Sequence, residues 1–173
     1  AAIKGAIENA GVNNESIDEV IMGNVLSAGQ GQAPARQASF NAGLSENVPA
    51  VTLNKMCGSG LKSVIYAHDQ IKAGTSELVA AGGMESMTNA PYLSPKMRTG
   101  ARVGHQQMYD HMFLDGLEDA YEPGRLMGTY AEDTAELFQF TREQQDEYAI
   151  NSYKRAAAAW EAGKFNDEVA PIT

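Results

Sequence analysis

The chain has 173 residues, of which 43% are hydrophobic and 20% charged, and carries a formal net charge of -9. That length and composition suit one folded domain, or a core with an appended subdomain, and not a disordered segment. The acidic balance excludes nucleic acid or an anionic membrane surface as the main partner, because either calls for a clustered basic face.

The first ten residues, "AAIKGAIENA", predict a helix with Ile3, Ala6, Ile7 and Ala10 along one side and Gly11 as its stop. Ile17 to Asn24 reads as a short strand. A Gly/Gln-rich loop, "SAGQGQ", leads to Pro34, well placed as the first residue of the helix "PARQASFNA", which runs to Gly43. "AVTL" is the next strand, followed by the turn "NKMCGSG" and a helix that Gly74 ends. In that helix Leu61, Val64, Ile65, His68 and Ile71 share one side, which predicts an inward apolar face with His68 packed and satisfied. "ELVAAGG" is a continuous apolar run bounded by glycines, the pattern of a strand buried on both faces. The alternation of helix and strand up to residue 88 implies an α/β fold with a mostly parallel sheet layered with helices.

From Thr88 to Tyr121 the pattern loosens into scattered Pro, Gly, Met and His, a length of irregular chain that is usually functional or a lid. His105 and His111 fall here and are expected at the surface or an interface. Two helices follow, one near "MGTYAEDTAELF" and one opened by a capping box, with Thr141 at the cap and Gln144 three residues on. The expected division is therefore residues 1–88 and residues 89–173. The opening helix is entered partway and "EVAPIT" stops inside a strand-like run, so the chain is expected to be a piece of a longer protein.

Cys57 is the sole cysteine. It has no partner for an intrachain disulfide and no Cys/His cluster for zinc, so a reducing compartment and no metal are expected. No apolar run approaches the roughly 18 residues of a membrane span, and no signal peptide is read at the start. Cys57 lies between a strand and a helix, next to Gly58 and Gly60. Unpaired amides and a partial positive charge at a helix start stabilise a thiolate, and glycines let an acyl group approach the sulfur. The backbone amide of such a cysteine faces the place where an oxyanion forms on an attacked carbonyl. A small apolar residue in a tight turn has the same spacing, so the pattern alone leaves both readings open.

"NKMCGSGLKSV" followed by "LVAAGGMESMTNAPY" resembles the active-site segment of the thiolases, the family of acetyl-CoA acetyltransferase and 3-ketoacyl-CoA thiolase. "GNVLSAGQGQAPARQASFNAGL" upstream resembles the same family's N-terminal half. "GLEDAYEPGRLMGTYAEDTAE" and "TREQQDEYAINSYKRAAAAWEAGKFNDEVAPI" resemble its loop domain. The likeness runs the whole length of the chain and favours the short-chain biosynthetic members.

The resemblance implies that residues 1–88 are part of the N-terminal catalytic domain and residues 89–173 part of the loop domain that covers CoA. It makes Cys57 the acyl-accepting nucleophile, with its own N–H in the oxyanion hole, and places Leu117 and Met127 along the CoA tunnel. Where the family often has His before that methionine this chain has Leu126, which leaves Arg125 as a candidate phosphate partner. The implied reaction condenses two acetyl-CoA to acetoacetyl-CoA, or reverses it. No permanently bound cofactor is expected, with coenzyme A thioesters as substrates, a dimer or tetramer as the assembly, and tetramer contacts between Ser94 and Asp110. The implied location is the cytoplasm, or mitochondria or peroxisomes in a eukaryote. The family's His-Pro motif and second cysteine are not among these residues. The 173 residues alone are therefore expected not to turn over. A degradative 3-ketoacyl-CoA thiolase, a non-catalytic truncated thiolase module and, more distantly, a cysteine hydrolase are the alternatives.

Overall fold

A computed structural model describes residues 1–172. The chain forms two compact units, Ala1–Glu118 and Asp119–Thr173.

The first unit is built on three parallel strands, β1 (Glu19–Gly23), β2 (Ala50–Leu53) and β3 (Val79–Gly83), in the order β2-β1-β3. Val20 stands opposite Ala50 on one side and Ala80 on the other. The helices α1 (Ala2–Ala10), α2 (Pro34–Asn41) and α3 (Ser59–Ala73) alternate with the strands, as the sequence pattern predicts. Local chemistry sets their ends. Pro34 begins α2, where its missing N–H has no helical partner to lose. Gly11 and Gly74 close α1 and α3 in the left-handed conformation, with their amides returned to the preceding turn.

The core lies on one face of the sheet. Val20 and Met22 point there and meet Ile3, Ile7, Ile17, Ala35, Ala42, Leu44 and Val48, as the two-residue repeat of a strand requires. In α1 only Ile3 and Ile7 are buried; Ala6 and Ala10 are exposed.

Helix α3 covers the other face, and it corrects the sequence reading. Its buried residues are Ser59, Ser63 and Ala67. Leu61 is 69% exposed, and Val64, Ile65 and Ile71 also face outward. His68 is exposed with them, its Nδ1 3.3 Å from Asp69 Oδ1. The reason is close backbone approach. A Cβ on Gly23 would stand 2.4 Å from the carbonyl carbon of Ser59, and one on Gly83 would stand 3.1 Å from Cα of Gly60. Only a small-residue stripe fits against strand ends at that distance, so the larger side chains turn away. The Ser63 hydroxyl is fully buried in this seam, 2.6 Å from Gly60 O and 2.7 Å from Gly82 O.

Strand β3 is half-buried instead of enclosed on both faces. It pairs with β1 alone among the described residues, so one edge lacks a neighbour.

The change of character at residue 88 is not where the compact units part. Residues 89–118 stay with the first unit. A two-residue ladder joins β4 (Tyr92–Leu93) to β5 (Tyr109–Asp110), and a π-helical turn, Phe113–Leu117, follows. His111 ties this segment down and is 6% exposed, not the surface residue its irregular context predicts. Its amide donates to Pro91 O, its Nδ1 lies 2.6 Å from Asp115 Oδ2, and its Nε2 accepts from the Ala28 amide. His105 is exposed.

The second unit contains α4 (Met127–Leu137) and α5 (Arg142–Glu161). The predicted capping box is formed in both directions: Gln144 N donates to Thr141 Oγ1 and Thr141 N to Gln144 Oε1. Neither helix buries a residue. Among the described residues no helix is long and apolar enough to cross a membrane.

Candidate active site

Cys57 is exposed and sits two residues ahead of α3, at the end of the turn that leaves β2. Its φ is +57°, in the left-handed region, where an L-residue with a Cβ costs about 1–2 kcal/mol. Residues held this way cluster at functional sites because the surrounding structure has to enforce them. Here the enforcement is visible. Gly58 N donates to Lys55 O at 2.7 Å. The Ser59 hydroxyl accepts from Lys55 N and donates to Lys55 O, both at 3.0 Å. These bonds close the turn around the cysteine and aim its side chain outward.

The amides of Cys57 and of the first α3 turn (Ser59, Gly60, Leu61) donate to nothing among the described residues. Four free N–H groups beside an exposed sulfur form an anion-stabilising edge, as helix starts do. They open on a depression of about 400 Å³ whose walls include Gly23, Val25, Cys57, Gly58, Gly83 and Glu85.

Glu85 holds the far wall. Its carboxylate accepts from the amides of Val25 at 2.9 Å and Leu26 at 2.8 Å, and from Asn24 Nδ2 at 3.3 Å. Asn24 is itself buried and also donates to Met84 O at 2.9 Å. The loop leaving β1 is thus fastened to the loop leaving β3, across from the cysteine. The sequence reading did not single out Asn24, Glu85, Gly23 or Gly83. The signal was present in two strands that both end in glycine, "VIMG" and "VAAGG".

The sequence around this thiol can be compared with known proteins. Residues 1–173 match the family model for the thiolase N-terminal domain. This chain belongs to the thiolase family. It is 51% identical over 170 residues to an acetyl-CoA acetyltransferase of Cupriavidus necator, covering 98% of this chain and 43% of that protein. It is 52% identical over 171 residues to a cytosolic acetyl-CoA acetyltransferase of Gibberella zeae, covering 99% and 43%. With the mitochondrial acetyl-CoA acetyltransferase of Bos taurus the figures are 49% over 173 residues, 99% and 40%. The chain thus spans well under half the length of these thiolases.

The thiolase resemblance singles out two further residues, one in each unit. Leu117 ends the π-helical turn of the first unit, 40% exposed, and is not part of the wall around Cys57. Met127 opens α4 in the second unit, also 40% exposed.

Arg125 is committed to internal partners, so its reading as a phosphate contact gives way to a structural one. Its guanidinium bonds Glu122 at 2.8 Å, Asp133, and the Thr129 hydroxyl at 3.2 Å, and it lies 3.7 Å over the Tyr130 ring. The bond to Glu122 holds the guanidinium more firmly protonated than an ordinary arginine. Burial raises the Tyr130 phenol, helped by its bond to Asp119. Asp119 is lowered by the Tyr121 and Glu122 amides that it accepts. This cluster fixes the loop that leads into Met127. Among the described residues, no group of three or more His, Cys, Asp or Glu is arranged to hold a metal ion.

Proposed function

We propose that these residues are the nucleophile-bearing part of a thiolase that condenses two acetyl-CoA to acetoacetyl-CoA, and catalyses the reverse thiolysis. The observation that carries this reading is Cys57 itself: exposed, in the left-handed conformation, with four unpaired amides and a glycine-walled depression beside it. In the forward direction the Cys57 thiolate adds to the thioester carbonyl of acetyl-CoA. The tetrahedral oxyanion is stabilised by the free amides, including that of Cys57, as such donors do. Coenzyme A leaves as its thiolate and is protonated, and the acetyl group stays on sulfur. A second acetyl-CoA, deprotonated at its methyl carbon, then attacks the acyl-cysteine and releases the Cys57 thiolate. Leu117 and Met127 are proposed to contact the pantetheine arm. Coenzyme A thioesters enter as substrates, and no permanently bound cofactor has a role.

The choice of acetyl-CoA over a longer acyl chain is supported by relatives named acetyl-CoA acetyltransferase at about half identity. A degradative 3-ketoacyl-CoA thiolase is the second reading, and chain-length preference of the whole protein separates the two. The relatives include proteins named as cytosolic and as mitochondrial, and either location fits the reading, as does a homo-oligomer.

A non-catalytic module is the third reading. It is favoured by one observation: no histidine among the described residues is a free base beside Cys57. His68 lies on the outer side of α3, His105 lines a different depression, and His111 is engaged by Asp115. On our reading the base and the second cysteine come from sequence beyond these 173 residues, and this stretch expressed alone forms no acetoacetyl-CoA.

The test is to incubate the full-length protein with acetyl-CoA, quench in acid and map the adduct by mass spectrometry. One acetyl group on the peptide containing Cys57, absent in Cys57→Ser, supports the assignment. Turnover by Cys57→Ser at the unmodified protein's rate would overturn it.

A further inference from the structure

His111 is a buried titratable group that the proposed chemistry does not use. Its Nε2 accepts the Ala28 amide at 3.4 Å, so its proton is on Nδ1, which donates to Asp115 Oδ2 at 2.6 Å. Two hydrogen bonds through one imidazole therefore connect two places. Asp115 belongs to the π-helical turn that ends in Leu117. Ala28 belongs to the loop whose Val25 and Leu26 amides are held by Glu85, and Val25 and Glu85 form part of the wall facing Cys57. The same two segments run close at a second point, where a Cβ added to Gly116 would stand 3.4 Å from Leu26 Cδ2.

We propose that His111, backed by Asp115, is a positioning residue that sets the Leu117 turn against the loop walling the Cys57 site, and so tunes how an acyl-CoA thioester seats. The proposal rests on the thiolase reading for its substrate. Its geometry stands independently of that reading. Its predicted signature is loss of substrate seating with the chemical step preserved.

Asparagine and glutamine divide the two bonds. His111→Asn keeps an N–H in the Nδ1 position for Asp115 and loses the acceptor for Ala28. His111→Gln extends a carbonyl oxygen to the Ala28 amide. In the full-length protein, amide exchange at Ala28 is measured by NMR or by fragmentation mass spectrometry, alongside steady-state kinetics with acetyl-CoA. His111→Asn is expected to lose protection at Ala28 and to raise KM about fivefold, the scale of one neutral hydrogen bond, with kcat within about twofold. His111→Gln is expected to restore Ala28 protection but, without a donor to Asp115, to leave KM raised. Unchanged Ala28 exchange in His111→Asn overturns the contact. Lost protection with unchanged KM, or parallel falls in kcat and melting temperature in both variants, overturns the positioning role. Absence of any acetyl transfer by the unmodified protein counts against the thiolase reading, while the exchange arm still decides the His111 contact.

Discussion

Gly23 and Ser59 are packed so tightly that a methyl group on the first would stand 2.4 Å from the carbonyl carbon of the second. That contact seats the start of α3 on the end of β1, and with it the cysteine two residues earlier. Gly23→Ala forces backbone against backbone, and overpacking of this kind costs about 1–3 kcal/mol. Gly60→Ala meets nothing nearer than 3.6 Å and gains helix propensity, by up to about 1 kcal/mol. Urea unfolding is expected to show a lower midpoint for the first substitution and an equal or higher one for the second. Equal midpoints for the two would show that the close approach is not what holds α3.

Cys57 is strained where it stands, at φ +57°. Glycine relieves that strain, so Cys57→Gly is expected to raise unfolding stability by about 1 kcal/mol while abolishing acetylation. Cys57→Ala keeps a Cβ and is expected to be inactive with little gain. A stability ranking with alanine at or above glycine would remove the case for a strained nucleophile.

Ser63 has a fully buried hydroxyl within 2.7 Å of two carbonyl oxygens, Gly60 O and Gly82 O. Its proton goes to one of them at a time. Ser63→Ala leaves both without this buried donor, and is expected to cost about 1–3 kcal/mol. Denaturant midpoints read the change. Faster amide exchange along β3 would accompany it.

Asp18 joins the start of β1 to the approach of β3, accepting the Leu78 and Glu77 amides at 2.9 and 2.7 Å. The Leu78 amide foremost, and then that of Glu77, holds its carboxyl below the ordinary carboxylate value. A lowered folded-state pKa stabilises the fold in full above the unfolded value, and the contribution is lost as pH falls through the folded one. Asp18→Asn is therefore expected to be less stable than the unmodified protein at neutral pH. The two should converge as pH falls through the lowered folded-state value. A gap that persists in acid would assign the effect to packing and not to charge.

Local chemistry was readable from the chain alone. Pro34 at the head of α2, Gly11 and Gly74 at helix ends and the Thr141–Gln144 box depend on neighbours within four residues, and all four formed as read. The alternation of helix and apolar strand likewise announced a parallel sheet, and the turn around Cys57 announced a cysteine at a helix start. Which face of α3 meets the sheet was not readable. Periodicity shows where Leu61, Val64 and Ile65 lie relative to one another, but the close approach of Gly23 and Gly83 to Ser59 and Gly60 turns inward the face that carries Ser59, Ser63 and Ala67. The burial of His111 against Ala28 and Asp115 joins residues far apart in sequence. So does the binding of Val25 and Leu26 by Glu85. Rules that act within a turn or two of backbone can be read along the chain, whereas contacts whose partners are brought together by packing exist only once the sheet has formed.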